Sequence, residues 1–308
     1  MTTMRAISQD VLGGPEVLRE IELPRPEPGP AEVLVRVHAA GVNPTDWKHR
    51  ATGGLLGEPP FVLGWDVSGV VEAVGLGVTL HKPGDEVFGM LPYPGGHGAY
   101  AEYVTAPSRC FAPKPANLDH VRAAALPLAA LTAWQTLVDT ADVQPGQRVL
   151  VHAAAGGVGH LAVQIAKARG AYVLGTARAA KHDFLRSLGV DEPIDYTTTD
   201  FAETVRDVDV VVEAIGGDYG PRSLRTLREG GVLVSLALSR LADFDPGDAR
   251  AETLLVEADH HALTRIAKLA EEGRLRAEID TVLPLAEAAK AHERGESDRS
   301  RGKIVLTA

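Results

Sequence analysis

Cysteine is almost missing from this chain: Cys110 is the single one in 308 residues. An internal disulfide is impossible, and so is a zinc site built from several thiolates. Cys110 itself, between Arg109 and Phe111, reads as a partly buried thiol without a chemical role. Long apolar runs are also lacking. None approaches the roughly 20 residues that span a bilayer, and the first ten residues carry no basic stretch followed by an apolar one. The expectation is a chain with no membrane segment and no signal peptide, working in the cytoplasm. Basic residues are outnumbered, 31 Lys and Arg against 41 Asp and Glu, for a formal net charge of -10. Without a local basic stripe, such a chain repels polyphosphate backbones, so nucleic acid is not an expected partner. Internal repeats and low-complexity segments are absent as well.

What is present is the size and balance of two globular domains, with 45% hydrophobic and 23% charged residues. The first third has short apolar runs at 33–37, 67–74 and 86–90. Pro28-Gly29-Pro30, Gly53-Gly54 and Pro83-Gly84-Asp85 separate them as turns. This is the texture of a compact β-rich domain. The Ala- and Leu-rich stretch 121–138 reads as one helix. Strand and helix then alternate. Strands are expected at 148–153, 171–176, 209–215 and 231–238, and helices at 157–169 and 181–188, each ended by a glycine (Gly170, Gly189). Apolar, β-branched strands alternating with helices argue a parallel, doubly wound sheet. Helices are expected again at 260–272 and 285–293, with a last strand at 303–307.

The turn after the first of these strands reads Ala154-Ala155-Gly156-Gly157-Val158-Gly159. It has the spacing of a pyrophosphate-binding turn, with Ala154 in the first glycine position. Gly156 lets an anion approach the backbone, and Gly159 lets helix and strand pack closely. The helix N-terminus offers free N–H groups. A dinucleotide is therefore the expected cofactor. At the end of the next strand, Thr176, Arg178 and Lys181 precede the first acid, Asp183. A hydroxyl, a guanidinium and an ammonium suit a 2'-phosphate better than a free ribose, which favours NADP.

Further segments complete a recognisable order. They include Ala40-Gly41-Val42-Asn43-Pro44-Thr45-Asp46, Leu63-Gly64-Trp65-Asp66-Val67-Ser68-Gly69 and Gly84-Asp85-Glu86-Val87-Phe88-Gly89. Gly98-Ala99-Tyr100-Ala101-Glu102-Tyr103-Val104, Leu131-Thr132-Ala133-Trp134 and Gly302-Lys303-Ile304-Val305-Leu306 follow. With the turn at 154–159 they resemble the zinc-independent quinone oxidoreductase and zeta-crystallin branch of the medium-chain dehydrogenase/reductase superfamily, over nearly the whole chain. The segments 92–97 and 243–250 show no clear family pattern.

The resemblance implies an α/β fold: a doubly wound parallel Rossmann sheet plus a GroES-like, partly open β-barrel catalytic domain. The expected division is 1–120 for the catalytic domain, 121–262 for the dinucleotide domain and 263–308 for the return to the first. The site is expected in the cleft, in a homo-oligomer with a dimer favoured. Zinc-dependent members carry Cys where this chain has Asn43 and His-Glu where it has Trp65-Asp66, so no metal is expected. The other histidines, including His38, His49 and the adjacent His260 and His261, show no ligand spacing.

Without a Lewis acid the hydride acceptor must already be electrophilic, a quinone or an α,β-unsaturated carbonyl. The resemblance places Asn43 and Asp46 near nicotinamide and substrate. Asn43 would donate to the acceptor oxygen, and Asp46 would orient neighbours unless its pKa were raised. Tyr100 and Tyr93, beside the loop that holds His97, would line the pocket or donate a proton. Thr132 would meet the nicotinamide carboxamide, Tyr196 the adenine ribose or its phosphate, and Gly216 and Gly217 the underside of the cofactor. Lys303 would lie near the cofactor. Two alternatives remain open: an enoyl-thioester reductase of a biosynthetic pathway, with Lys48, His49 and Arg50 as a basic groove, and a protein that holds NADPH for a structural or binding role.

Overall fold

The computed structural model describes residues 2–96, 98–237, 246–247, 249–297 and 300–308. His97, Leu238 and, of 243–250, residues 243–245 and 248, named above, lie outside them. The chain folds into two compact units: Met1–Leu131 with Glu257–Ala308, and Thr132–Val256.

The N-terminal part of the first unit carries strands β1 (Thr3–Gln9), β2 (Arg19–Pro24) and β3 (Glu32–Val42), then helix α1 (Pro44–Thr52). After it come β4 (Phe61–Val62), β5 (Asp66–Val74), β6 (Glu86–Met90), β7 (Tyr103–Pro107) and β8 (Phe111–Pro113). The stretch 121–138 is not one helix. It is α2 (His120–Ala124), α3 (Pro127–Trp134) and a π-helical turn Gln135–Thr140. Pro127 has no N–H to continue α2 and instead starts α3, the helix position proline tolerates best.

The second unit alternates as expected: β9 (Arg148–Val151), α4 (Gly159–Ala168), β10 (Tyr172–Ala177), α5 (His182–Ser187), β11 (Glu192–Asp195), α6 (Phe201–Thr204), β12 (Val208–Glu213), α7 (Tyr219–Leu224), β13 (Leu227–Ser235) and β14 (Arg250–Thr253). Its strands form one parallel sheet in the order β11-β10-β9-β12-β13-β14. The reversal at β9 is the switch point of a doubly wound sheet. Leu150, Leu174, Val211 and Leu233 from its central strands are fully buried, packed with Phe201 and Ala202 of α6.

The chain then returns to the first unit as α8 (His260–Glu271), β15 (Ile279–Pro284), α9 (Ala288–Glu296) and β16 (Lys303–Thr307). β16 pairs antiparallel with β3, Ile304 opposite Val42. It thereby joins the larger sheet of the unit, ordered β15-β16-β3-β5-β6-β8 with β7 also on β3. The small sheet β2-β1-β4 stands beside it. α9 approaches α1 closely because Gly295 leaves room for the Trp47 ring, which a Cβ there would strike. Among the described residues no helix is long and apolar enough to cross a membrane.

Candidate functional site

Each unit builds its own cluster. In the first, β3 ends at Val42 and the chain turns into α1. Asn43 is the N-cap, extended at φ -133° and ψ 158°, and Pro44 opens the helix. Asp46, in the first turn, accepts the Asn43 N–H on Oδ2 at 2.6 Å. β5 runs antiparallel to β3 with Asp66 opposite Gly41. Only glycine fits at 41, since a Cβ would lie 2.7 Å from Asp66 Oδ2 and overlap the Ala124 carbonyl. Asp66 thus reaches the Asn43 side chain, whose Nδ2 donates to Asp66 Oδ2 at 2.8 Å. Asp66 Oδ1 accepts the Leu128 N–H at 2.6 Å.

β16 brings Lys303 into the same place. Its ammonium donates to Asn43 Oδ1 and to the Val42 carbonyl at 3.2 Å, and lies 3.4 Å from Asp66 Oδ2. The side chain is almost completely buried. The Lys303 ammonium thus faces three groups of its own unit, Val42, Asn43 and Asp66. Burial pushes the Asp66 pKa up, and Lys303 and the Asn43 bond pull it back.

Asp46 is wholly buried, and its Oδ1 has no hydrogen-bond partner. Burial raises its pKa to about 7, with Asp66 adding to the rise and Lys303 opposing it. Burial thus shifts Asp46 toward holding a proton near neutrality, the circumstance in which it would do more than orient its neighbours. The Tyr100 hydroxyl faces the same carboxyl and stabilises its charge, without reaching full bonding geometry to Oδ1.

Tyr100 is also wholly buried, and its hydroxyl lies 3.2 Å from His292 Nε2. His292 Nδ1 lies 3.1 Å from Arg50 Nη1. A guanidinium only donates, so Nδ1 is the acceptor and Nε2 carries the proton given to Tyr100. Burial and Arg50 depress the His292 pKa to about 3, which keeps the ring neutral. Burial and Asp46 push the Tyr100 pKa well up, which keeps the phenol protonated. Arg50 is 2% exposed and pairs with Glu296 at 2.7 Å. His49 is buried too, so of the proposed basic groove only Lys48 faces solvent. Tyr93 parts from Tyr100: its hydroxyl bonds Thr45 Oγ1 at 2.9 Å and its ring packs on Trp65. His292 and Glu296 escaped the sequence reading. The signal available was their spacing of one helical turn on α9.

In the second unit the carboxyl ends of β9, β10, β12 and β13 carry the other cluster. Ala153, at φ 48°, starts the turn, and Ala154 N–H donates to the Thr176 carbonyl at 3.1 Å. A Cβ on Gly159 would overlap the Ala153 carbonyl and lie 2.8 Å from Ala154 Cα, so only glycine lets α4 start there. At Gly156 the nearest atom to an added Cβ is the Ala153 oxygen at 3.1 Å, with open space beyond. Among the described residues the Gly157 and Val158 amides bond nothing in the chain. These two N–H groups at the start of α4, beside the open face of Gly156, form a cradle that fits a pyrophosphate.

Thr176 does not offer its hydroxyl to a phosphate. It is buried, and its Oγ1 lies 3.2 Å from His152 Nδ1 and accepts the Ala153 N–H at 3.3 Å. It braces the turn from an interior strand buried over 173–177. Arg178 and Tyr196 are brought together: Arg178 Nε donates to Tyr196 Oη at 3.1 Å, and both are exposed. Lys181 is half-buried at the start of α5. Gly216 and Gly217 follow β12 at φ 81° and 67°. Buried Glu213, missed from sequence, holds this turn. Its Oε1 accepts the Ile215 and Gly216 N–H groups at 2.6 Å each, and its Oε2 accepts Ser235 Oγ at 2.8 Å. Thr132 is buried on α3, where its carbonyl accepts Thr136 Oγ1 at 2.7 Å.

The residues of the first cluster do not fit a catalytic zinc. Asn43 Oδ1 and Asp66 Oδ2 already face an ammonium, Trp65 is no ligand, and no group of three or more His, Cys, Asp or Glu among the described residues could hold a metal ion.

Comparison with known proteins identifies the family. A family described as an alcohol dehydrogenase GroES-like domain matches residues 29–116, and one described as a zinc-binding dehydrogenase matches 188–306. A 2-haloacrylate reductase of Burkholderia sp is 36% identical, covering 96% of this chain and 96% of its own. The structure of a quinone oxidoreductase from Coxiella burnetii superposes with a TM-score of 0.94 at 38% identity, over 100% of both chains. That of Escherichia coli quinone oxidoreductase complexed with NADPH gives 0.88 at 29% identity, over 99% of this chain and 100% of the other.

Proposed function

This chain is an oxidoreductase of the zinc-independent, quinone oxidoreductase-like branch of the medium-chain dehydrogenase/reductase superfamily, and from that premise we propose that it reduces a quinone or an α,β-unsaturated carbonyl with NADPH. The observation that carries the acceptor class is the Lys303 ammonium between Asn43 and Asp66. With that place taken by an internal cation, the acceptor must bring its own electrophilicity. The relatives named as a haloacrylate reductase and as quinone oxidoreductases have acceptors of this kind in their names. The thioester alternative has less support, since His49 and Arg50 are buried.

The bound dinucleotide supplies the hydride. The Gly157 and Val158 amides hold its pyrophosphate, and Gly156 and Gly159 keep that turn open and tight. Glu213 fixes the Gly216 turn, and Thr132 would hold the carboxamide. Arg178, with Tyr196 beside it and Lys181 a turn on, pairs with the 2'-phosphate, which selects NADPH. In the first unit Asn43 Nδ2–H donates to the acceptor oxygen as charge develops there. Asp46 keeps its proton up to about pH 7 and can give it to the reduced acceptor. Tyr100, held protonated, steadies the carboxylate that remains. A homodimer in the cytoplasm belongs to the same reading and rests on the family resemblance.

The test is the oxidation rate of NADPH and NADH with a small quinone and with an enone, with and without a chelator. Chelator-resistant oxidation of NADPH, well above NADH, is expected. Chelator-sensitive turnover, or cofactor binding with no turnover on either acceptor, would overturn the reading.

A further inference from the structure

Asn43 lies between two groups of opposite and unambiguous chemistry. The Lys303 ammonium can only donate, and the Asp66 carboxylate can only accept. A carboxamide between them has one orientation, with Oδ1 on Lys303 and Nδ2 on Asp66, which is the arrangement observed. Turned over, it would set NH2 against NH3+ and oxygen against carboxylate. We propose that Lys303 is a positioning residue for the reduction: its ammonium fixes and polarises the Asn43 carboxamide so that an Nδ2–H is the donor presented to the acceptor oxygen.

Three observations carry this beyond an ordinary buried ion pair. The charge-assisted bond falls on the amide oxygen, and drawing electron density to Oδ1 makes the Nδ2 hydrogens better donors. Nδ2 has two hydrogens. One is taken by Asp66 at 2.8 Å, and among the described residues nothing accepts the other. Finally, the lysine is anchored by its backbone. β16 pairs with β3 at Ile304 and Val42, and the Lys303 N–H donates to the Glu278 carbonyl at 2.8 Å, so the ammonium is held by strand register rather than by a mobile stem. The inference rests on the reading of Asn43 as the donor to the acceptor.

The test uses the full chain as N43A, D66N/K303M and the triple variant, with kcat and KM for NADPH measured on a small quinone. D66N/K303M removes both buried charges together, which avoids leaving one unpaired. N43A should lower kcat about 100-fold. D66N/K303M should lower it at least tenfold with the KM for NADPH unchanged. The triple variant should be within about twofold of N43A, because a residue acting through Asn43 adds nothing once Asn43 is gone. In the cofactor-free protein, the two Asn43 side-chain amide protons, resolved by 15N labelling, should lose their separation in D66N/K303M. Multiplicative losses in the triple variant, or wild-type kcat in D66N/K303M, would overturn the role of Lys303 and leave Asn43 standing as the donor. Wild-type kcat in N43A would remove the Asn43 reading and this inference with it.

Discussion

Asp46→Asn offers a measurement of the proton that Asp46 is read as holding. In the folded chain its pKa is raised from the ordinary 3.8 to about 7, chiefly by burial. The unfolded chain releases that proton near pH 4, while the folded chain keeps it until about pH 7. Between those values the folded state binds more protons than the unfolded one, so this group's contribution to stability is fully present below about pH 4 and falls as pH rises through 7. The window spans about three pH units, each worth about 1.4 kcal/mol, so the loss is on the order of 4 kcal/mol. Asparagine is a neutral isostere that can still accept the Asn43 N–H, so the variant escapes the loss. Urea unfolding of both proteins at pH 5, 6, 7 and 8 should show Asp46→Asn gaining on wild type by about 1.4 kcal/mol per pH unit, then levelling above 7. Titrating groups that do not interact with Asp46 cancel in the comparison. Curves that stay parallel across this range, within about 0.5 kcal/mol, would refute the raised pKa and with it Asp46 as a proton holder.

Tyr100→Phe strips the His292 Nε2–H of its acceptor and should cost about 1–3 kcal/mol in urea unfolding. It also removes a group that stabilises the Asp46 charge, so the alkaline limb of the pH–rate profile should move to higher pH. Arg178→Ala should weaken NADPH about tenfold and leave NADH almost unchanged, read as KM for the two cofactors. Gly159→Ala drives a Cβ into the Ala153 carbonyl. It should destabilise the fold by about 1–3 kcal/mol and weaken both cofactors alike, checked by thermal melting with and without NADPH.

The second unit was largely legible from the sequence because its signals are local. Short apolar strands, glycine-terminated helices and the turn at 154–159 each depend on residues a few positions apart, and the requirement for Gly159 is set by one neighbouring carbonyl. The N-cap Asn43 with Pro44 and Asp46 is local in the same way. What the sequence could not carry was direction and partnership. Thr176 matches the cofactor pattern, but its buried hydroxyl is taken by His152 and the Ala153 N–H. Arg50 looks like a solvated loop cation until α9 brings His292 and Glu296 to it from more than 240 positions away. Lys303 carries no local sign of its partner; only the register of β16 on β3 seats its ammonium beside Asn43, 260 positions distant. Local sequence determines which backbone turns can form. Only the packed sheet decides which buried charges face one another, because burial removes the water that would otherwise satisfy each of them separately.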